Sequence, residues 1–152
     1  MDRRAKFRRG LSSLYIPHYD ALCGVLGEEW QPYFGFRTFV EQDQLYAKGR
    51  QGNPGEIITN ARGGESAHNY GCASDWCLWN PDGTPFWPER NDPQWMPYLH
   101  AIEKVRLQDG ASFNDFPHNE LRIACSWKHV YVAFKQNGMT AAQQKIQESI
   151  FE

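Results

Sequence analysis

No long hydrophobic run occurs in the 152-residue sequence, so nothing in it reads as a membrane-spanning helix. An excess of charge of one sign is also missing. Sixteen Lys and Arg against 18 Asp and Glu leave a formal charge of -2, which argues against a general nucleic-acid or membrane-surface binder. Four cysteines, Cys23, Cys72, Cys77 and Cys125, are too few and too scattered for a disulfide framework. Even Cys72 and Cys77 lack the CxxC spacing of a zinc knuckle, so all four read as reduced core residues. No glycine-rich phosphate loop is present, which removes the commonest nucleotide-binding device. Repeats, low-complexity tracts and linkers are absent as well, and the length suits one domain over residues 1–152.

What is present is enough apolar matter for a packed core: 41% hydrophobic residues, with 14% aromatic. The opening MDRRAKFRRG is basic and reads as a solvated arm over residues 1–10. No apolar run follows it, so it resembles neither a secretory signal nor an anchor, and the expected location is the cytoplasm. "PHYDALCGVLGEEW" has helical spacing, and "YFGFRTF" reads as a short aromatic strand that delivers Arg37 at its end. Thr38 and Glu41 have the spacing of a capping box and predict a helix over "VEQDQLYAKGR". Glycine and proline in "GRQGNPGE" open a loop. "CASDWCLW" predicts a largely buried strand ended by the turn "NPDG". A helix is expected over "DPQWMPYLHAIEKVRLQDG", closed by Gly110, and a strand over "ELRIAC". "SWKHVYVAFKQNG" and "TAAQQKIQESI" predict two terminal helices over 126–152, the second with a capping box from Thr140 to Gln143. Helices followed by interspersed strands point to an α+β fold, a short antiparallel sheet flanked by helices, rather than a doubly wound sheet.

The segment "ARGGESAHNYGCASDWCLW" concentrates residues that carry chemistry. His68 and Asp75 are either metal ligands or an ordinary buried pair. A catalytic zinc site takes three protein ligands from His, Asp or Glu and keeps a fourth position open. His118, beside the strand "ELRIAC", is the natural third. Asp115, in "NDFPH", stands three residues before it, and a carboxylate so placed can take a proton from water at neutral pH. Arg37, always charged and forked, suits an oxyanion. Ser66 can hold a substrate peptide by hydrogen bonds, although a backbone cap is an equally good use of it. Asp115 could equally cap a turn, and Arg37 could pair with a surface carboxylate. His18, His100 and His129 have no comparable setting.

Taken together, "SAHNYGCASD" fits the pattern S-x-H-x-x-G-x-A-x-D and resembles the M15 zinc peptidases, the group of D-Ala-D-Ala carboxypeptidases and L-alanoyl-D-glutamate endopeptidases. "FGFRTFVEQDQLYAKGR" resembles that family's arginine-bearing strand end and following helix, and "DFPH" its acidic-x-x-His element. "IITNARGGESAHNYG" looks especially like the branch used by bacteriophage endolysins. The resemblance covers roughly residues 30 to 121. It implies Zn2+ held by His68, Asp75 and His118, Asp115 as general base, Arg37 as electrostatic stabiliser, Ser66 on the substrate side and Gln42 in support of substrate binding. The activity it implies is hydrolysis of an amide bond in the peptidoglycan stem peptide, L-Ala to D-Glu before D-Ala to D-Ala. A wall-binding module without turnover is the alternative of a different class. Such an enzyme would act as a monomer, with no nucleic-acid partner, and would wait in the host cytoplasm before release to the wall or periplasm. Asn119 stands where the endopeptidase branch leads one to expect an aromatic, and the change is expected beside the substrate cleft.

Overall fold

A computed structural model describes residues 2–50 and 52–150. Its centre is an antiparallel sheet in the order β1 (Trp30–Phe34), β2 (Ala73–Trp79), β5 (His118–Leu121), β4 (Leu107–Asp109), with the two-residue β3 (Pro85–Phe86) paired to the far end of β2. Helices α1 (Arg3–Arg8), α2 (Ile16–Val25), α3 (Phe39–Ala47), α4 (Met96–Lys104) and α5 (Trp127–Ser149) surround it, so the α+β expectation holds. Among the described residues no helix is long and apolar enough to cross a membrane.

The sheet is pinned by a polar core beneath an aromatic one. Ser74 and Asn119 face each other across β2 and β5, both fully buried. The Asn119 amide donates to the Ser74 carbonyl at 3.1 Å and to the Tyr98 hydroxyl at 2.8 Å, while the Tyr15 hydroxyl donates to its oxygen. Buried polar groups that are all paired tolerate one register only, because a slip would strand each of them without a partner. That register sets Asp75 directly opposite His118. It also corrects the place expected for Asn119: strand alternation turns it into the core, away from the cleft. Around this network Trp76, Trp95, Tyr19 and Tyr98 are buried, each burial worth about 1.5–3 kcal/mol.

Several element boundaries differ from those the sequence suggests. The early helix stops at Val25 and Trp30 opens β1, which ends at Phe34, so Arg37 lies in the connection beyond the strand. The expected 92–110 helix divides: α4 ends at Lys104, Arg106 takes φ +61, and Leu107–Asp109 becomes β4. β5 begins at His118 itself and ends at Leu121, two residues earlier and four residues shorter at its far end than "ELRIAC". The terminal helices form one run broken at Asn137 and Gly138. Gln143 makes no box with Thr140; its side chain accepts from Ser12 and donates to the Tyr70 carbonyl. Val130, Ala142 and Ile146 bury this run against the core.

The basic arm is a helix tied to the body of the fold through Arg3 and Arg4, while Lys6, Arg8 and Arg9 stay exposed. Asp2 caps α1, and the Arg4 guanidinium donates to the carbonyls of Cys23, Leu26, Gly27 and Trp30 at 2.8–3.3 Å. Cys23 lies in the last turn of α2, where helix geometry leaves carbonyls without partners, and the Gly27 carbonyl also accepts from Trp30 N–H at 3.1 Å. Arg3 stacks 4.3 Å from the Trp79 ring centroid and donates to the Pro32 carbonyl. Arg4→Ala is therefore expected to lower unfolding free energy by about 2–3 kcal/mol, as charged hydrogen bonds to half-buried carbonyls do. Urea denaturation checks this, and a change under about 0.5 kcal/mol would mean that water replaces the guanidinium at no cost.

Candidate functional site

Three short segments carry the site, and each is fixed by its own backbone chemistry. His68 sits in the 3-10 turn Ala67–Tyr70, capped by Ser66, whose hydroxyl accepts from the His68 N–H at 3.3 Å. Asn69 completes the cap, accepting from Gly64 and Ser66 and donating to the Arg37 and Thr38 carbonyls. The turn leaves through Gly71 at φ +69, where a Cβ would stand 2.6 Å from the Ser12 nitrogen. β2 then supplies Asp75 and β5 supplies His118. Gly110 allows the loop before β5 to fold closely, since a Cβ there would lie 2.3 Å from the Asp115 carbonyl oxygen.

The result is one cluster in which His68, Asp75 and His118 each offer a ligand atom within 4.8 Å of the others. His68 Nε2 is 3.4 Å from Asp75 Oδ2, and His118 Nδ1 is 3.2 Å from Asp75 Oδ1. The Gly35 carbonyl can only accept, so His68 Nδ1 carries the proton it donates at 2.8 Å and Nε2 presents its lone pair to the cluster. Burial favours a neutral Asp75, but the facing His68 and His118 rings and their hydrogen bonds outweigh it and hold the carboxyl well below the usual carboxylate range. Burial also disfavours a charged His118, yet Asp75 and Glu120 together raise its pKa to about 10. Two imidazoles converging on one carboxylate form a donor set that suits a divalent ion such as zinc, with three protein ligands and no fourth among the described residues.

The cluster lies in a cleft of about 950 Å³ that is also lined by Arg37, Ser66, Asp115 and Arg90. Arg37 Nη2 is 4.0 Å from Asp75 Oδ2, and its Nη1 donates to the Gln42 side-chain oxygen at 2.9 Å. Gln42, 1% exposed, donates in turn to the Ala61 carbonyl, so its amide orients Arg37 and has little surface left for a substrate. Ser66 lines the cleft, and its hydroxyl is engaged by the turn that carries His68. Asp115 is exposed at the rim, and its side chain makes no hydrogen bond or ion pair among the described residues. Shelter within the cleft, then the negative charge of Asp75, raise its carboxyl above the ordinary aspartate value, against the opposing pull of His118, His68 and Arg37. Exposed Ile57, Ile58 and Phe113 add apolar rim.

All seven residues singled out by sequence thus border one cleft. Sequence reasoning missed Glu120, whose Oε1 lies 3.6 Å from His118 Nε2, and Trp127, which donates to its other oxygen. The available signal was alternation: residues two apart on a strand share a face, which links His118 to Glu120.

No family model matches the sequence. Over 96 residues it is 40% identical to the peptidoglycan L-alanyl-D-glutamate endopeptidase CwlK of Bacillus subtilis (strain 168), covering 57% of this chain and 57% of that protein. The chain therefore spans a little over half the length of that curated relative. In fold it is similar to the crystal structure of the L-Ala D-Glu endopeptidase ChiX of Serratia marcescens, with a TM-score of 0.55 and 18% identity over 79% of this chain and 86% of that one.

Proposed function

We propose that this chain is a zinc-dependent M15-type peptidase that hydrolyses the L-Ala to D-Glu amide of the peptidoglycan stem peptide. The observation that carries the reading is the convergence of His68, Asp75 and His118 within 4.8 Å in a cleft also lined by Arg37 and Asp115. Similarity in sequence to one L-alanyl-D-glutamate endopeptidase and in fold to another supports the choice of substrate.

In this reading His68 and His118 hold the ion through imidazole nitrogens and Asp75 through its carboxylate. Zinc bound there supplies a Lewis acid that polarises a carbonyl and makes water more acidic near neutral pH. Asp115 accepts the proton that water gives up and returns it to the departing amine, so one carboxyl serves both halves of the reaction. Its raised carboxyl suits that exchange, because proton transfer works best when donor and acceptor are closely matched. Arg37, held by Gln42, places a fixed cation where the attacked carbonyl oxygen gathers negative charge. Action as a monomer is part of this proposal. A phage endolysin is the biological setting we favour.

The test is digestion of purified peptidoglycan by zinc-loaded and chelator-treated protein, with mass spectrometry of the fragments. New L-Ala carboxyl ends and D-Glu amino ends, lost on chelation, are expected. Free D-Ala instead would make it a carboxypeptidase, and no metal-dependent product would leave a wall-binding module. Lysis of host cells on co-expression with a pore-forming lysis protein, and none without it, is the result expected of an endolysin.

A further inference from the structure

We propose that Glu120, anchored by Trp127, is a positioning residue for the metal ion: it accepts the Nε2 proton of His118 and so fixes Nδ1 as the ligand atom. The inference rests on the reading of His118 as a ligand. On β5 the side chains of His118 and Glu120 share one face, while Asn119 and Leu121 turn into the core. His118 Nδ1 faces Asp75 at 3.2 Å and its Nε2 faces Glu120 Oε1 at 3.6 Å. Among the described residues His118 is the only basic group paired with Glu120.

The second oxygen of Glu120 is committed elsewhere: Oε2 accepts from the Trp127 indole N–H. Trp127 is the first residue of α5, set by the Ser126 cap, and its ring stacks on Tyr70 at 6.0 Å between centroids and 15° between planes. Tyr70 closes the turn that carries His68 and donates to the Gly64 carbonyl. One indole thus braces both histidine-bearing segments, and the C-terminal helix becomes part of the site's frame.

The chemistry follows from the two nitrogens of imidazole. A neutral ring that gives one lone pair to a metal carries its proton on the other nitrogen, and a carboxylate that accepts that proton fixes tautomer, ring orientation and basicity together. The Gly35 carbonyl fills this place for His68. For His118 the group facing Nε2 is Glu120, at 3.6 Å, a carboxylate where Gly35 offers only a carbonyl dipole.

The test compares wild type with Glu120→Ala, Glu120→Gln and Trp127→Phe, each checked by circular dichroism, for Zn2+ affinity by chelator competition and for the visible spectrum of bound Co2+. Glu120→Ala is expected to lose about 10–100-fold in zinc affinity with a shifted cobalt spectrum, the range for outer partners of a ligand histidine. Glu120→Gln has a single carbonyl oxygen for two donors and is expected to lose part of that. Trp127→Phe keeps the stacking and loses the N–H, for a loss of about fivefold, one ordinary hydrogen bond. Should Glu120→Ala not fold, the other two variants carry the test. Folded variants with lower melting temperatures but unchanged zinc affinity and cobalt spectrum would overturn the proposal, leaving Glu120 as an anchor for α5 alone. A wild type that binds no zinc would instead overturn the metal reading and this inference with it, and is distinguished by the failure of the parent protein.

Discussion

Asp115→Ala is expected to lower kcat for stem-peptide cleavage by about 10²–10⁴-fold, the usual contribution of a positioned acid or base, while one zinc ion remains bound. The two effects separate because Asp115 lies outside the ligand cluster and its side chain has no hydrogen bond or ion pair to lose among the described residues. What holds its backbone is independent of the carboxyl: its N–H donates to the Gly110 carbonyl at 2.9 Å and its own carbonyl accepts from His118 N–H at 3.2 Å. Unfolding free energy is therefore expected to change by less than about 0.5 kcal/mol, as for an exposed side chain without partners. Asp115→Asn, which keeps the shape and removes the base, should match the alanine variant. Steady-state kinetics on a defined muropeptide beside zinc stoichiometry decide the matter. Activity within a few-fold of wild type in both variants would remove Asp115 from the proton-transfer role.

The parts of this site that were legible in the sequence are those whose geometry is local. Ser66, His68, Gly71 and Asp75 fall within ten residues, and a capped turn, a left-handed glycine and a strand leave few ways to arrange them. Thr38 likewise announced α3, and its hydroxyl accepts from Glu41 N–H at 3.1 Å. The α+β class followed from the order of the elements, helices followed by interspersed strands. Gly138 marked the break in the terminal helix, where it takes φ +81.

What could not be read depends on partners distant in the chain. Arg4 looks like solvent-facing charge until the carbonyls of residues 23 to 30 arrive beside it. Leu107–Asp109 continues a helical pattern in sequence, but Arg106 adopts a left-handed conformation that no glycine or asparagine signals, and sheet pairing with β5 wins. Asn119 was expected beside the substrate cleft because it stands where the resemblance leads one to expect an aromatic. Strand alternation sends it the other way, into hydrogen bonds with residues 15, 74 and 98. Glu120 was hidden by the strand boundary: with β5 begun at Glu120, its shared face with His118 has no meaning.

Asp75→Asn is expected to reduce zinc affinity by more than about 10²-fold, beyond the upper range for partners that touch a ligand only indirectly, and to bring wall hydrolysis to background. Asparagine retains the shape and a carbonyl acceptor, so the pairing of residue 75 with His118 across β2 and β5 has no steric reason to fail. What it removes is the single anion between two imidazoles whose rings lie 5.1 Å apart. A neutral amide oxygen is a poor ligand for zinc beside a carboxylate, and it does nothing to offset the ion's double charge in a site where His68 is 3% exposed. Arg37, 4.0 Å away in the native cleft, also loses its negative neighbour, so added zinc at high concentration should restore occupancy without restoring the wild-type rate. Metal analysis after dialysis, followed by muropeptide kinetics across a zinc titration, measures both effects. One zinc per chain bound with native affinity would show that residue 75 is not a ligand and would leave the two histidines in need of a different third partner.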